Sequence, residues 1–363
     1  MTIMIKDVGW GSFSGYEGAH YSGTQKVLLP SNATFDQKAL YVVASSEGNF
    51  DSISMVDRAI ISVGAIQWVE LNQYSVSNMI GYVAETCGIE LVEQKLHPAL
   101  LMSKATFKKT PQGRWRFHIP HPTTGEEVVV ETEALSRWMY ARGSGKVGTW
   151  PETNKLWAKC WAASIADLFQ DPTACEAQVE WTVPQLQSNF VWQQGKAIVF
   201  EAGSSYEGYA GVVKTILICY AVNLPAVAEK IIAAAAARSP FPKWSKQWCL
   251  DLMHDLALTS GVSIWPGRYN ANRPALEAAF GVQLPKTANE LALRAWATQP
   301  VEVLPPPSVV VETPIEEPVV PSTFIDVEDV FVKPERPALP SAPGFWGTLQ
   351  NFSNTILSKL GRK

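Results

Sequence analysis

Residues 39–51 read ALYVVASSEGNFD, and this stretch decides the fold that we expect of the chain. Leu40, Val43 and Ala44 recur at helical spacing up to Glu47, so the pattern predicts a helix with an apolar face. Glu47 is thereby placed at the end of an apolar helical run. Its carboxylate is the first candidate functional group.

The residues after this stretch supply a second carboxylate, a hydroxyl, a glycine, an amide and an indole, at Asp57, Ser62, Gly64, Gln67 and Trp68. Cleavage of a glycosidic bond at neutral pH requires a carboxylic acid that is still protonated, and an apolar cleft favours the protonated form. Glu47 suits this role. A second group must then place a water or stabilise the oxocarbenium-like charge. Asp57 and Ser62 are the candidates, with Asp51 behind them.

The same residues also have a purely structural interpretation. Asp57 and Arg58 are typical of an exposed pair in the first turn of a helix. The run Ser62-Val63-Gly64 is typical of a close helix crossing. Both interpretations of Asp57 stay open, whereas Glu47 together with the later glycine and glutamine favours a functional site.

Composition limits the class of protein. The chain has 363 residues, of which 47% are hydrophobic and 18% charged, so a sizeable folded core is available. A net charge of −4 provides no general attraction to nucleic acid, and we expect no nucleic-acid partner. The five cysteines are widely spread and form no CxxC pair, which indicates reduced thiols. His118 and His121 have no third ligand at metal-site spacing, so we expect neither a metal nor another cofactor.

Changes of pattern divide the chain into segments. Residues 1–33 read as an N-terminal arm of irregular structure or short strands, and residues 34–299 are largely helical, so the expected fold class is mainly α. Within that domain, a stretch of alternating apolar and polar residues and a stretch rich in β-branched residues predict a small β-hairpin insertion at about residues 101–133. Residues 300–343 are rich in proline and acidic residues, which predicts a disordered linker. Residues 344–363 have apolar side chains at helical spacing and predict an amphipathic helix.

Two short motifs resemble those of a known superfamily. SEGNFD at residues 46–51, followed by GAIQ at residues 64–67, resembles the Glu-Ser-x-Phe-Asn and Gly-x-Met-Gln motifs of goose-type lysozymes and soluble lytic transglycosylases. The Glu-Asp-Thr-x-Gly arrangement of phage-type lysozymes is resembled by Glu47, Asp57, Ser62 and Gly64. Chitosanase-like members of the superfamily have a similar motif that starts with Glu-Asn and is followed later by Asp-x-Arg. The resemblance covers roughly residues 35–85.

This resemblance implies a lysozyme-like domain that cleaves the β-1,4 glycan of peptidoglycan. Glu47 would be the general acid, and Asp57 or Ser62 would place the water or stabilise charge. The cleft would be lined by Gly64, Gln67 and Trp68. Transglycosylases have Ala-x-Ser where this chain has Ile-Ile-Ser, and phage-type lysozymes have threonine in place of Ser62. Hydrolysis and intramolecular transglycosylation therefore both stay open.

Two alternatives stand beside this expectation. One is a chitosanase-like glycosidase. The other is a non-catalytic structural or adaptor protein of a phage or injection-system particle, anchored by residues 344–363, which can dock in a partner groove, lie on a membrane or fold back on the domain. No secretory signal and no membrane-spanning apolar run is visible in the sequence. We therefore expect synthesis in the cytoplasm, followed by carriage in a particle or release at lysis.

Overall fold

The computed structural model describes much of the first half of the chain and short stretches further on. The described residues are 5–13, 15–56, 58–71, 74–143, 148, 150–187, 211–212, 214–216, 218–219 and 264–284. Asp57, the predicted linker at 300–343 and the predicted helix at 344–363 lie outside the described residues, so what was expected of them stays a prediction.

Helices are the majority element of the described residues. A short 3-10 helix, Ile5–Asp7, precedes α1 (Phe35–Glu47), α2 (Ser75–Thr86), α3 (Ile89–Ser103), α4 (Glu133–Ala141), α5 (Glu152–Leu168), α6 (Pro172–Gln187) and α7 (Ile264–Phe280). One antiparallel sheet contains β1 (Gly9–Phe13), β2 (Tyr16–Tyr21), β3 (Ile53–Ser54), β4 (Ser62–Val63) and β5 (Trp68–Val69). A second contains β6 (Thr106–Lys109), β7 (Trp115–Pro120) and β8 (Glu127–Val129). The fold is therefore mixed, and the expectation of a mainly α protein is right only for the helical majority. Strands of two residues are too short to show an alternating pattern, which is why β3, β4 and β5 were not predicted.

The first sheet joins the N-terminal arm to the segment that carries the predicted site. Its strands follow chain order, and every neighbouring pair is antiparallel. Tyr21 of β2 lies opposite Ile53 of β3, and Ile53 lies opposite Val63 of β4. Helix α1 occupies the connection between β2 and β3, so its C-terminal end returns to the sheet beside the arm. Part of the segment predicted as an irregular arm or short strands thus forms the hairpin of β1 and β2.

Helix α1 forms for local reasons. Thr34 and Gln37 make a capping box, in which the Gln37 N–H donates to the Thr34 hydroxyl over 3.3 Å and the Thr34 N–H donates to Gln37 Oε1 over 2.9 Å. Leu40 and Val43 lie on the buried face of the helix. The helix ends at Glu47, as the apolar spacing predicts.

Helix α5 lies at the centre of the core. Most of its residues are buried, and it packs against α3, α4 and β2. The ring of Trp161 meets Phe117 of β7 and Tyr140 of α4 edge-on, with centroids 5.3 and 5.0 Å away. These contacts join the second sheet to the helices. Helix α6 packs against α1 and α2, which brings it close to the predicted site.

The insertion predicted at about residues 101–133 is a three-stranded sheet rather than a hairpin. Strands β6 and β7 form a pair, with Thr106 opposite His118. Strand β8 adds a third strand on the other edge of β7, with Val129 opposite His118. The β-rich text around Val129 indicated a strand, but its pairing partner is decided by the tertiary fold.

Two general expectations can also be compared with the structure. Four cysteines lie within the described ranges and form no disulfide bond, namely Cys87, Cys160, Cys175 and Cys219. No helix within those ranges is both long and apolar enough to cross a membrane.

Candidate active site

A cavity of about 500 Å³ opens where the C-terminal end of α1 meets β3 and the chain that follows β2. This volume falls in the range of ligand-binding sites. Its lining comes from within residues 20–27 of the arm and residues 41–49 around the end of α1, together with Ser52, Ile53 and Gln67. Three segments that are distant in the sequence therefore enclose one space.

Two of the predicted site residues, Glu47 and Gln67, line this cavity together. Glu47 is the last residue of α1 and is half-buried. Gln67 lies twenty residues later, in the turn directly before β5, and has a left-handed backbone with a φ of 54°. The end of a helix and a turn before a strand thus bring a carboxyl and an amide to the same space.

The amide of Gln67 is held in one orientation by two hydrogen bonds. Its Nε2 donates to Ser52 Oγ over 2.9 Å and to the Gly64 carbonyl over 3.0 Å. Ser52 Oγ donates in turn to the Asn49 carbonyl over 2.9 Å. Because both Nε2 hydrogens are used, Gln67 retains its Oε1 as an acceptor for a further donor, such as a sugar hydroxyl or an N-acetyl N–H.

Gly48 connects the carboxylate to this hydrogen-bonded network. A Cβ at Gly48 would lie 2.3 Å from Ser52 Oγ and 3.1 Å from Gln67 Nε2. No residue with a side chain fits there without displacing Ser52. The backbone directly after Glu47 is therefore packed against the Ser52–Gln67 pair.

Helix α6 supports the turn before β5 through a buried amide. Gln178 is 1% exposed; its Oε1 accepts from the Ala65 N–H over 3.0 Å and its Nε2 donates to the Phe50 carbonyl over 3.1 Å. Gly64 has a φ of +85°, and a Cβ there would lie 2.5 Å from Gln178 Oε1. Gly64 was expected to bind substrate, but it is buried and does not line the cavity. Its carbonyl instead fixes the amide of Gln67.

Trp68 was expected to line the cleft, but it does not line this cavity. The residue is 5% exposed, and its Nε1–H donates to Thr182 Oγ1 of α6 over 3.0 Å. Its ring meets Trp181 edge-on, with centroids 4.6 Å apart. Trp68 begins a strand, where successive side chains point to opposite faces, so its place beside Gln67 in the sequence does not put it in the same space.

Ser62 does not line the cavity either. It is 3% exposed and lies in β4, opposite Ser54 of β3 on one edge and Val69 of β5 on the other. Because Ser62 is enclosed between two strands and does not reach the cavity, the structure does not support a role for it in placing a water there. Asp57 lies outside the described residues and keeps that role as a prediction.

Asp51 holds the arm instead of facing the cavity. It is fully buried, and its Oδ1 accepts from the backbone N–H groups of Thr24 and Gln25 over 2.8 Å each. Its Oδ2 accepts from the Thr24 hydroxyl over 3.2 Å. These bonds satisfy a buried carboxylate, which would otherwise be costly, and they fix the arm beside the end of α1.

Sequence reasoning missed several groups at the cavity. Ser52 lies just after the quoted motif and could have been found as its next hydroxyl. Tyr21 lines the cavity, and burial raises the pKa of its phenol, so it stays neutral and can donate or accept a hydrogen bond. Ser45 also lines the cavity, and its Oγ lies 3.1 Å from Asn272 Oδ1 of α7. No sequence signal connects the arm or α7 to the end of α1, because both contacts are long-range.

Taken together, the described lining combines one carboxyl, an oriented amide, several hydroxyl groups and two tyrosine rings. Amide and hydroxyl groups can bind the hydroxyls of a sugar, and a carboxyl beside them can protonate an acetal oxygen.

Comparison of the chain with protein-family models, with curated proteins and with solved structures found no match. The cavity and the short motifs that lead to it are therefore the features that indicate a function.

Proposed function

We propose that this protein cleaves the glycan strand of peptidoglycan, with Glu47 as the general acid. The observation that supports the proposal most is the cavity that Glu47 and Gln67 share, with Gly48 and Ser52 packed between them. A carboxyl and a fixed acceptor at neighbouring points can hold a sugar ring next to the bond that breaks.

In the proposed reaction, Glu47 donates its proton to the glycosidic oxygen, the C–O bond breaks and positive charge develops at the anomeric carbon. In hydrolysis a water then adds to that carbon, and the Glu47 carboxylate takes up the proton. In transglycosylation a hydroxyl of the same sugar adds instead, and the carboxylate takes its proton. Glu47 is the only carboxylate in the described part of the lining, so the proposal assigns both proton transfers to it. Asp57 keeps the alternative role of holding the water.

A chitosanase-like reaction is less favoured because Lys26 lines the same cavity. A polymer of glucosamine is cationic and would meet a like charge there, which opposes binding. Peptidoglycan strands carry carboxylates and have no such conflict.

The test of the proposal compares the wild-type protein with Glu47→Gln on isolated peptidoglycan. We expect cleavage to fall roughly 10²–10⁴-fold, the usual contribution of a general acid. Glu93→Gln, an exposed residue of α3, is the matched control and should leave the rate unchanged. Equal activity in all three proteins would overturn the assignment of Glu47 as the general acid. No activity in any of them would overturn the proposal and favour the non-catalytic adaptor. Product analysis separates the reactions, because hydrolysis yields a reducing end and transglycosylation an anhydro sugar.

We also propose that the chain acts in a phage or injection-system particle and is attached there, or to a membrane, through residues 344–363. Deletion of these residues should leave cleavage of isolated peptidoglycan intact and abolish association with the particle or the membrane. Association that is retained after the deletion would refute this part of the proposal.

A further inference from the structure

One wall of the cavity is built by the N-terminal arm rather than by the segment that resembles lysozymes. The arm wall consists of His20, Tyr21, Ser22, Lys26 and Val27. It faces the same space as Glu47, which lies at the end of α1. Any sugar chain that reaches Glu47 through this cavity therefore also lies beside the arm wall.

The arm wall is held in place by buried and half-buried groups. Asn49 Nδ2 donates to the carbonyls of Ser22 and Gly23 over 3.1 and 3.0 Å. The Phe50 N–H donates to the Gln25 carbonyl over 2.9 Å, and the Gln25 N–H donates to the buried Asp51. Lys26 directly follows Gln25, whose N–H and carbonyl groups are both hydrogen-bonded, so the backbone of Lys26 is fixed relative to Glu47.

The chain can approach so closely only because residue 23 is glycine. Gly23 has a φ of +75°, and a Cβ there would lie 2.5 Å from Asp51 Oδ1 and 2.8 Å from the Ser52 N–H nitrogen. The arm is therefore packed onto the segment that follows Glu47. A wall fitted in this way can select what the cavity accepts, unlike a loosely attached loop.

Lys26 gives the arm wall a positive charge. Its side chain is exposed, it lines the cavity, and no carboxylate in the described part of the chain pairs with it. His20 adds a second nitrogen-bearing side chain on the same wall, with its Nε2 3.3 Å from Ser22 Oγ. An ammonium group on the wall of a sugar site favours a ligand with an anionic substituent.

We propose that the arm wall is a specificity element, in which Lys26 binds a carboxylate carried by every second sugar of the glycan. This inference rests on the proposed function and deepens it, since it names the feature of the strand that the cavity recognises. In peptidoglycan the carboxylate has two sources: the lactyl group itself in peptide-free strands, and the stem peptide where a peptide is attached.

The experiment measures kcat/KM of the full-length protein on three substrates, with products separated by chromatography. They are peptide-free glycan strands, the same strands with their carboxylates converted to neutral methylamides, and strands that carry stem peptides. The wild type should prefer the anionic strands over the neutral ones. Lys26→Gln should reduce this preference roughly fivefold at low salt, and Lys26→Glu should reduce it further, because the contribution is that of a partly exposed ion pair. The preference of the wild type should weaken in high salt.

Lys6→Gln is the matched control, since Lys6 is exposed and lies outside the cavity. Its preference should equal that of the wild type. If the Lys26 variants lose preference for peptide-free strands over the neutral strands, the carboxylate is that of the lactyl group. If they lose preference only for the strands that carry stem peptides, the carboxylate is that of the peptide. The same preference in the wild type and in both Lys26 variants overturns the inference while the proposed function stands.

If the wild type cleaves none of the strands, the proposed function fails, and the inference is then judged by binding. Affinity of the folded protein for peptide-free and for neutralised strands is measured by titration calorimetry. Weaker binding of the anionic strand by Lys26→Glu, with no change for Lys6→Gln, supports the arm wall as a recognition element. Equal binding by all variants overturns it.

Discussion

Replacement of the buried Glu70 by glutamine should change how the stability of the protein depends on pH. Glu70 follows β5 directly and is fully buried. The Ser77 N–H donates to its Oε2 over 3.0 Å, and the Ser77 hydroxyl donates to its Oε1 over 2.5 Å. Burial raises the pKa of Glu70 from an ordinary value of 4.5 to about 7, although these hydrogen bonds and the charge of Arg116 act in the opposite direction.

The direction of the effect follows from where the proton is bound. Between pH 4.5 and about 7 the folded protein keeps a proton on Glu70 that the unfolded chain has released. Over this range the folded state binds more protons than the unfolded state, so the free energy of unfolding falls as the pH rises. The raised pKa corresponds to a loss of about 3 kcal/mol in the free energy of unfolding. This loss is complete once the pH exceeds the pKa of Glu70 in the folded protein. Glutamine has no proton to release, so Glu70→Gln removes this pH dependence.

Urea unfolding followed by tryptophan fluorescence measures the effect at about pH 5 and about pH 8. The free energy of unfolding of Glu70→Gln minus that of the wild type should increase by about 3 kcal/mol between the two conditions. Costs of the substitution that do not vary with pH, such as an altered hydrogen bond to Ser77, cancel in this comparison. Glu126→Gln, an exposed position, is the control and should give a difference independent of pH. The same result for Glu70→Gln would refute the argument that burial holds a proton on this carboxyl.

Three other substitutions test the construction of the site. Gly64→Ala puts a side chain on a residue with a φ of +85°, and its Cβ would lie 2.5 Å from Gln178 Oε1. Thermal unfolding should show that the free energy of unfolding falls by about 1–3 kcal/mol. Unchanged stability would contradict the close packing of the turn. Asp51→Asn weakens the attachment of the arm and should cost about 1–3 kcal/mol, while steady-state kinetics should show KM raised more than kcat is lowered; an unchanged KM would speak against the arm as part of the binding site. Ser52→Ala removes one acceptor of the Gln67 amide and should lower kcat/KM roughly fivefold to tenfold in a folded protein; a wild-type rate would exclude a role for that oriented amide.

The helix that ends at Glu47 could be predicted because its causes are local. The capping residues Thr34 and Gln37 and the apolar residues spaced along the helix all lie within a few turns of one another. The glutamine of the GAIQ motif could likewise be proposed as a site residue, because residues 64–67 resemble the Gly-x-Met-Gln motif. These features depend on residues close in the chain, so one sequence contains the information to find them.

The rest of the site depends on contacts between distant segments. Trp68 was taken for a lining residue because of its neighbour, yet Thr182 and Trp181 of α6 bury it, more than a hundred residues later in the chain. The arm becomes a cavity wall only because β2 pairs with β3 and Asp51 binds the backbone of residues 24 and 25. Local spacing predicts where a carboxyl ends a helix. Strand pairing and burial decide which side chains share the space around that carboxyl. Both depend on contacts with distant residues, which no local sequence pattern identifies.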